Sequence, residues 1–324
     1  MFRILSIDGG GFRGAYSAHV LKRIEEEYRV SLFEEFDMIA GTSTGSIIAG
    51  GIAVGVKPRE IAAMYESKGA KIFKNRWFAR FGLTASRYKR KALEQVLESV
   101  IGNKKLGEIE KPLIIPATDV GNGCVHVFKS SYDSAFVRDS EVLLRQAILA
   151  SCAAPTYFDP LKVGDYLLAD GGVWANCPAL VAAIDAKKRL GIDLDDIQIL
   201  SIGTGTSKQY YPQSKSLLKS LTGWGFATKW GRGKFIDMIL NLQSQTANNM
   251  LGLALRPDQL LRINFESDIP LSLADPNAYS DLVSRADRDF THYAEPIRDF
   301  LSIGQQATSF ASNKTIDNST RIEG

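Results

Sequence analysis

The sequence predicts an α/β protein with a mostly parallel central sheet and helices on both faces. Two observations carry that expectation. Short apolar runs with strand character alternate with stretches whose apolar residues recur at helical spacing. Glycine-rich turns follow the carboxyl ends of those runs, where open α/β sheets build their ligand sites.

Phe2–Ile7 is a short apolar strand that starts almost at the first residue. Val20, Leu21, Ile24 and Tyr28 mark one face of the helix that follows. Phe36–Ala40 reads as a second buried strand, leading through a glycine turn into an apolar helix that ends near Val54. Leu93, Val96, Leu97, Val100 and Ile101 give another helical face. Pro112–Val120 and Cys124–Phe128 read as strands around a Gly121-Asn122-Gly123 turn. A helix over Glu141–Ala150, a strand over Tyr166–Ala169, a helix over Ala179–Leu190 and a strand over Ile197–Ile202 complete the alternation.

The chain has 324 residues, 45% hydrophobic and 23% charged, as in soluble globular proteins. No Pro- or Ser-rich linker divides it, so we expect one domain over residues 1–304 and a polar tail over 305–324. Within the domain, a catalytic core covers about 1–206 and a C-terminal helical, regulatory elaboration about 207–304. No stretch reaches the ~20 apolar residues of a membrane span, and the N-terminus lacks the layout of a signal peptide. Cys124, Cys152 and Cys177 are too few for a disulfide framework. His19, His126 and His292 stand far apart and suggest no metal. A reduced, cytoplasmic setting is expected.

The net charge of +3 is unevenly spread. Residues 71–91 and 207–236 contain no acid, and each mixes Lys and Arg with Phe, Trp and Tyr. Such segments suit an anionic partner. Anionic headgroups at a membrane and a cyclic dinucleotide both fit, as do solvated loops whose aromatics plug the core. Nucleic acid ranks below these, because no nucleic-acid fold accompanies the basic stretches and the rest of the chain is acidic. The apolar stretch around residues 234–243 fits a buried helix, a subunit contact in a homo-oligomer, or a lid.

Three motifs carry chemistry. Gly41-Thr42-Ser43-Thr44-Gly45 stands between a strand and a helix, the setting of a nucleophile elbow. Asp8-Gly9-Gly10-Gly11-Phe12-Arg13-Gly14 can converge several N–H groups on one anion, either an acyl-transfer oxyanion or a dinucleotide pyrophosphate. The latter would make the chain a Rossmann-like nucleotide sensor. It fits poorly, because Glu34, Glu35 and Asp37 precede or open the second strand rather than ending it. Asp170-Gly171-Gly172 closes a short strand. A serine nucleophile needs a base. Ser43, Asp170 and His292 follow the order of an α/β-hydrolase triad, but His292 lies in a polar helical stretch and His126 and His19 read as structural. A Ser43–Asp170 pair is the leading arrangement.

Together these motifs resemble the patatin-like phospholipase family. Further family-like blocks are Ala150-Ser151-Cys152-Ala153-Ala154-Pro155-Thr156-Tyr157-Phe158, Asp170 to Pro178, and Leu200-Ser201-Ile202-Gly203-Thr204-Gly205. The resemblance covers roughly residues 1–206. It implies a patatin-like three-layer sandwich and a Ser43–Asp170 dyad hydrolysing phospholipid acyl esters without a metal. It also implies an oxyanion hole at Gly9, Gly10, Gly11 and Arg13, with Asp8, Gly14, Gly41, Gly45, Gly171 and Gly172 supporting the motifs. A narrower resemblance, to the phospholipases of bacterial anti-phage defence, implies activation by a cyclic dinucleotide and action at the inner membrane surface. A constitutive lipase of the same family is the alternative. One chemical question stays open. An Asp of ordinary pKa, ~3.9, is a weak base near neutrality. Either burial raises it, or the serine proton moves only as the intermediate forms.

Overall fold

The computed structural model describes residues 1–72, 86–207, 232–269 and 271–302. Most of both basic segments and the polar tail lie outside them. The strands are β1 Phe2–Ile7, β2 Met38–Gly41, β3 Leu113–Asp119, β4 Cys124–Lys129, β5 Leu161–Val163, β6 Tyr166–Asp170, β7 Ile197–Ile202, β8 Thr206–Ser207, β9 Leu260–Ile263 and β10 Glu266–Ser267. The helices are α1 Gly14–Tyr28, α2 Leu32–Glu35, α3 Thr44–Ala53, α4 Pro58–Ile72, α5 Arg90–Ile101, α6 Leu144–Ser151, α7 Gly172–Ala175, α8 Ala179–Asp185, α9 Arg232–Ala254, α10 Tyr279–His292 and α11 Ala294–Phe300. No helix among the described residues is long and apolar enough to cross a membrane.

Eight strands form the main sheet in the order β5-β6-β3-β2-β1-β7-β9, with β4 also on β3. The run β3-β2-β1-β7-β9 is parallel, while β4 and β6 run antiparallel to β3. Alternate residues of the central strands face opposite ways, as the pleat requires. Leu5, Ile7, Ile39, Ile115 and Leu200 join α1, α3, α4, α5 and α6 in one core. Ile4, Met38, Ala40, Ile114 and Ile199 meet α8 and α9 in a second. Strands buried on both faces explain why these segments read as unbroken apolar runs.

Some details differ from the sequence reading. The helix expected from Glu141 starts at Leu144, because Leu143 bridges to Lys105 and its N–H is capped by the Gln146 side chain. The helix expected to reach Leu190 does so, widening from α to π geometry over Ala186–Leu190. The C-terminal third is part of the sheet, since β9 pairs in parallel with β7.

The register on β3 shapes everything near the site. β4 pairs with β3 along Ile114–Asp119 and takes one edge of it. β2 and β6 must therefore share the other edge, β2 at Leu113–Ile114 and β6 at Ala117–Asp119. They approach along that edge from opposite directions, so the carboxyl end of β2 faces the carboxyl end of β6. Pro116 lies in the gap between them, where neither strand needs an N–H from β3, and this is how an interior strand tolerates a proline.

Candidate active site

β2 runs into Gly41-Thr42, and Ser43 then turns the chain into α3. Ser43 has φ 53° and ψ −123°, a conformation that side chains rarely adopt and that local structure must hold in place. The supports are visible. Ser43 N–H donates to Ser151 Oγ (2.9 Å), and Ser151 Oγ donates to the Pro116 carbonyl in the strand gap (2.6 Å). Thr42 Oγ1 donates to Ala175 O (2.6 Å), and Ser46 Oγ donates to Ser43 O (2.6 Å). The turn also needs room. A Cβ on Gly45 would sit 2.2 Å from Ile7 O, so α3 can start this close to β1 only with glycine there.

Across the gap, β6 ends at Asp170. Its Oδ1 accepts the Gly172 N–H at 2.7 Å, and the Ser43 side chain lies near enough to favour its charged form. Asp170 is 3% exposed and Ser43 9%. Burial pushes the Asp170 carboxyl up to about 6, against the opposing pull of the Gly172 N–H and the Ser43 side chain. This is the burial effect that the first of the two routes left open by the sequence needs.

The glycine loop lies beside this pair. A Cβ on Gly9 would be 3.2 Å from Ser43 Cβ. Gly10 and Gly11 line the pocket at Ser43, and among the described residues their N–H groups meet no backbone acceptor. The other two residues expected in the oxyanion hole have different roles. Gly9 N–H is committed to Asn176 O (3.0 Å). Arg13 turns its guanidinium toward Gly10 O (3.2 Å) and Asp237 on α9 (3.0 Å), so it holds the loop rather than presenting a donor to the pocket. Gly14 and Gly41 sit at close approaches to Thr44 and Gly45, Gly171 against Pro116 O, and Gly172 against Leu240.

Asp8 anchors the loop from below. It is buried and takes two hydrogen bonds from Arg262 on β9, at 2.9 and 2.6 Å, and one from Ser244 on α9 at 3.0 Å. Sequence reasoning missed Arg262, Ser244 and Asp237, which no local pattern marks. Ser151 and Asn176 stood within the family-like blocks but were given no role. Removing Arg262 would leave a buried carboxylate without its counter-charge. We expect Arg262→Ala to lower unfolding stability by about 3–5 kcal/mol, read from urea denaturation midpoints. A loss under about 1 kcal/mol would show that the ion pair is not what secures the loop.

The pocket beyond Ser43 and Asp170 is apolar. Ile47, Met64, Ile72, Leu93, Tyr157, Phe158, Leu240 and Leu273 line it. Leu240 comes from the first half of α9, whereas Ala247, Leu251 and Leu255 further along belong to the second core. The histidines are elsewhere. His292 is exposed at the end of α10 against the Tyr293 ring. His19 bonds Asp287 (3.1 Å), and His126 is buried on β4 beside Arg138 and Asp139.

Comparison with known proteins agrees with this geometry. Residues 5–183 match the model of the family described as "Patatin-like phospholipase". The chain is 32% identical to a "cGAMP-activated phospholipase" of Escherichia coli (strain TW11681), over 87% of each chain. It is 31% identical to a protein of the same description from Pseudomonas aeruginosa, over 78% of this chain and 75% of that one. It is 28% identical to a "cUMP-AMP-activated phospholipase" of Escherichia coli, over 92% and 93%.

Proposed function

Because the chain belongs to the patatin-like phospholipase family, we propose that Ser43 and Asp170 are its nucleophile and base. The observation that carries this reading is a strained serine and a buried carboxylate lining one pocket, beside two N–H groups that among the described residues meet no backbone acceptor. Ser43 Oγ attacks the carbonyl carbon of a phospholipid acyl ester while Asp170 takes its proton. The carbonyl oxygen becomes an oxyanion facing Gly10 and Gly11 N–H. Collapse breaks the ester bond, and Asp170 returns the proton to the leaving alcohol. Water then attacks the acyl-serine and gives a proton to Asp170; collapse breaks the acyl–Oγ bond, Asp170 passes that proton to Ser43 Oγ, and the fatty acid leaves. The apolar pocket takes the acyl chain.

We further propose that a cyclic dinucleotide switches this activity on, as the names of three relatives say of those proteins. Acting peripherally at a membrane surface on such a signal fits the anti-phage role that the sequence resemblance implies. The test is fatty-acid release from phosphatidylethanolamine/phosphatidylglycerol vesicles, with and without cGAMP or cUMP-AMP. Release should rise at least ~10-fold with one of them. Equal release under all conditions would leave a constitutive hydrolase and remove the regulation. No release under any condition would count against the hydrolase on this substrate.

A further inference from the structure

We propose that a groove at the far end of α3 from Ser43 binds a nucleotide carrying two phosphate charges, and that the activating cyclic dinucleotide acts there; this rests on the regulated reading above. The groove lies between the last turns of α1 and the turn from α3 into α4. Its volume is about 550 Å³, within the range of small-molecule sites. Four cations, Lys22, Arg29, Lys57 and Arg59, line it against two carboxylates, Glu25 and Glu26. The lining is thus doubly positive, matching the two phosphodiester charges of a cyclic dinucleotide.

The cations are not there to satisfy the fold. Among the described residues none of the four closes an ion pair with an acidic side chain, although Lys57 and Arg59 lie near enough to Glu25 to favour its charged form. Glu25 is occupied with the Leu32 N–H (2.9 Å). Lys57 and Arg59 stand at the start of α4, where the helix dipole disfavours positive charge. Arg29 is held at φ 54°, a left-handed conformation that costs a non-glycine residue energy. Phe33 and Val56 add apolar surface of the kind a base covers.

A lipid headgroup is a less suitable occupant. Ser43 caps the opposite end of a ten-residue helix, about 15 Å away, so a lipid held at the serine does not place its headgroup here. The route from groove to site runs through α4. Its first turn carries Lys57 and Arg59, and further along it Met64, Tyr65 and Ile72 wall the acyl pocket. The Tyr65 hydroxyl hydrogen-bonds Thr44, the residue after the nucleophile. A ligand that draws α4 toward α1 therefore moves both the acyl wall and the support of the elbow.

The experiment compares three full-length proteins: wild type, Lys57→Glu/Arg59→Glu, and the charge-matched control Lys162→Glu/Lys188→Glu at exposed positions elsewhere. Calorimetric titration with cGAMP and with cUMP-AMP gives affinity, vesicle hydrolysis gives activation, and a thermal melt reports folding. The groove variant should bind the activating nucleotide ~100-fold more weakly than wild type and the control, and lose activation. Arg29→Glu, on the opposite wall, should weaken binding in the same direction. Wild-type affinity in both groove variants would overturn the groove while leaving nucleotide regulation intact. A wild-type protein that binds neither nucleotide would overturn both.

Discussion

Asp170→Asn is expected to abolish acyl release while making the protein more stable at neutral pH. Asn keeps an oxygen for the Gly172 N–H but cannot accept the Ser43 proton, so the rate should fall by roughly 10³–10⁴ or more. The gain in stability follows from linkage. Burial raises the Asp170 carboxyl from 3.8 to about 6 in the folded protein. The folded state therefore holds the proton more tightly than the unfolded one. The stability contributed by the neutral carboxyl is complete below pH 3.8 and is lost as pH rises through about 6. Above that, wild type bears the cost of a buried charge, about 3 kcal/mol at ~1.4 kcal/mol per unit of pKa. Asn escapes it. Urea midpoints taken from pH 4 to pH 7.5 should show the two proteins converging toward pH 4, separating as pH rises to about 6, and keeping a constant gap beyond it. The same titration sets the wild-type rate, which should climb about tenfold per pH unit below about 6 and level off beyond it. A variant no more stable than wild type at pH 7, with wild-type activity flat from pH 5 to 8, would remove Asp170 as the base.

Ser43→Ala should cost at least ~10⁴ in kcat, since the remaining groups cannot form an acyl intermediate. Reaction with a fluorophosphonate probe should vanish in parallel. Ser43→Gly is expected to be equally inactive but more stable than wild type. It relieves the positive φ at Ser43, of order 1–3 kcal/mol, and gives back ~0.5–1 kcal/mol through the freedom glycine gains on unfolding. The net gain is about 1 kcal/mol, read from the urea midpoint. Substantial hydrolysis by either variant would place the nucleophile elsewhere.

How much of this the sequence disclosed depends on how local each determinant is. The elbow was legible because its glycines are demanded by atoms within a few residues or on the adjoining strand. The strand ending at Asp170 was legible for the same reason. The counter-charge of Asp8 was not, because Arg262 lies 254 positions away and reads only as one cation in a short apolar strand. Likewise, Gly9 and Arg13 looked like anion donors, but whether an N–H is free depends on what packs above it, here Asn176 and Asp237. The late start of α6 had a cause outside its own sequence, the bridge from Leu143 to Lys105.

The end-to-end meeting of β2 and β6 on one edge of β3 has a mechanical consequence. The proposed nucleophile and base ride on opposite sides of a seam, and the two sides are anchored differently. β2 is stitched along four positions to β1 and continues into a helix buried in the core. β6 is held by three rungs on β3, by Asp170 N–H on Ala153 O and by Leu168 in the core, and its other edge pairs with the short β5. Displacing the β5–β6 hairpin would withdraw the proposed base while the serine stayed put, silencing hydrolysis with most of the architecture left standing.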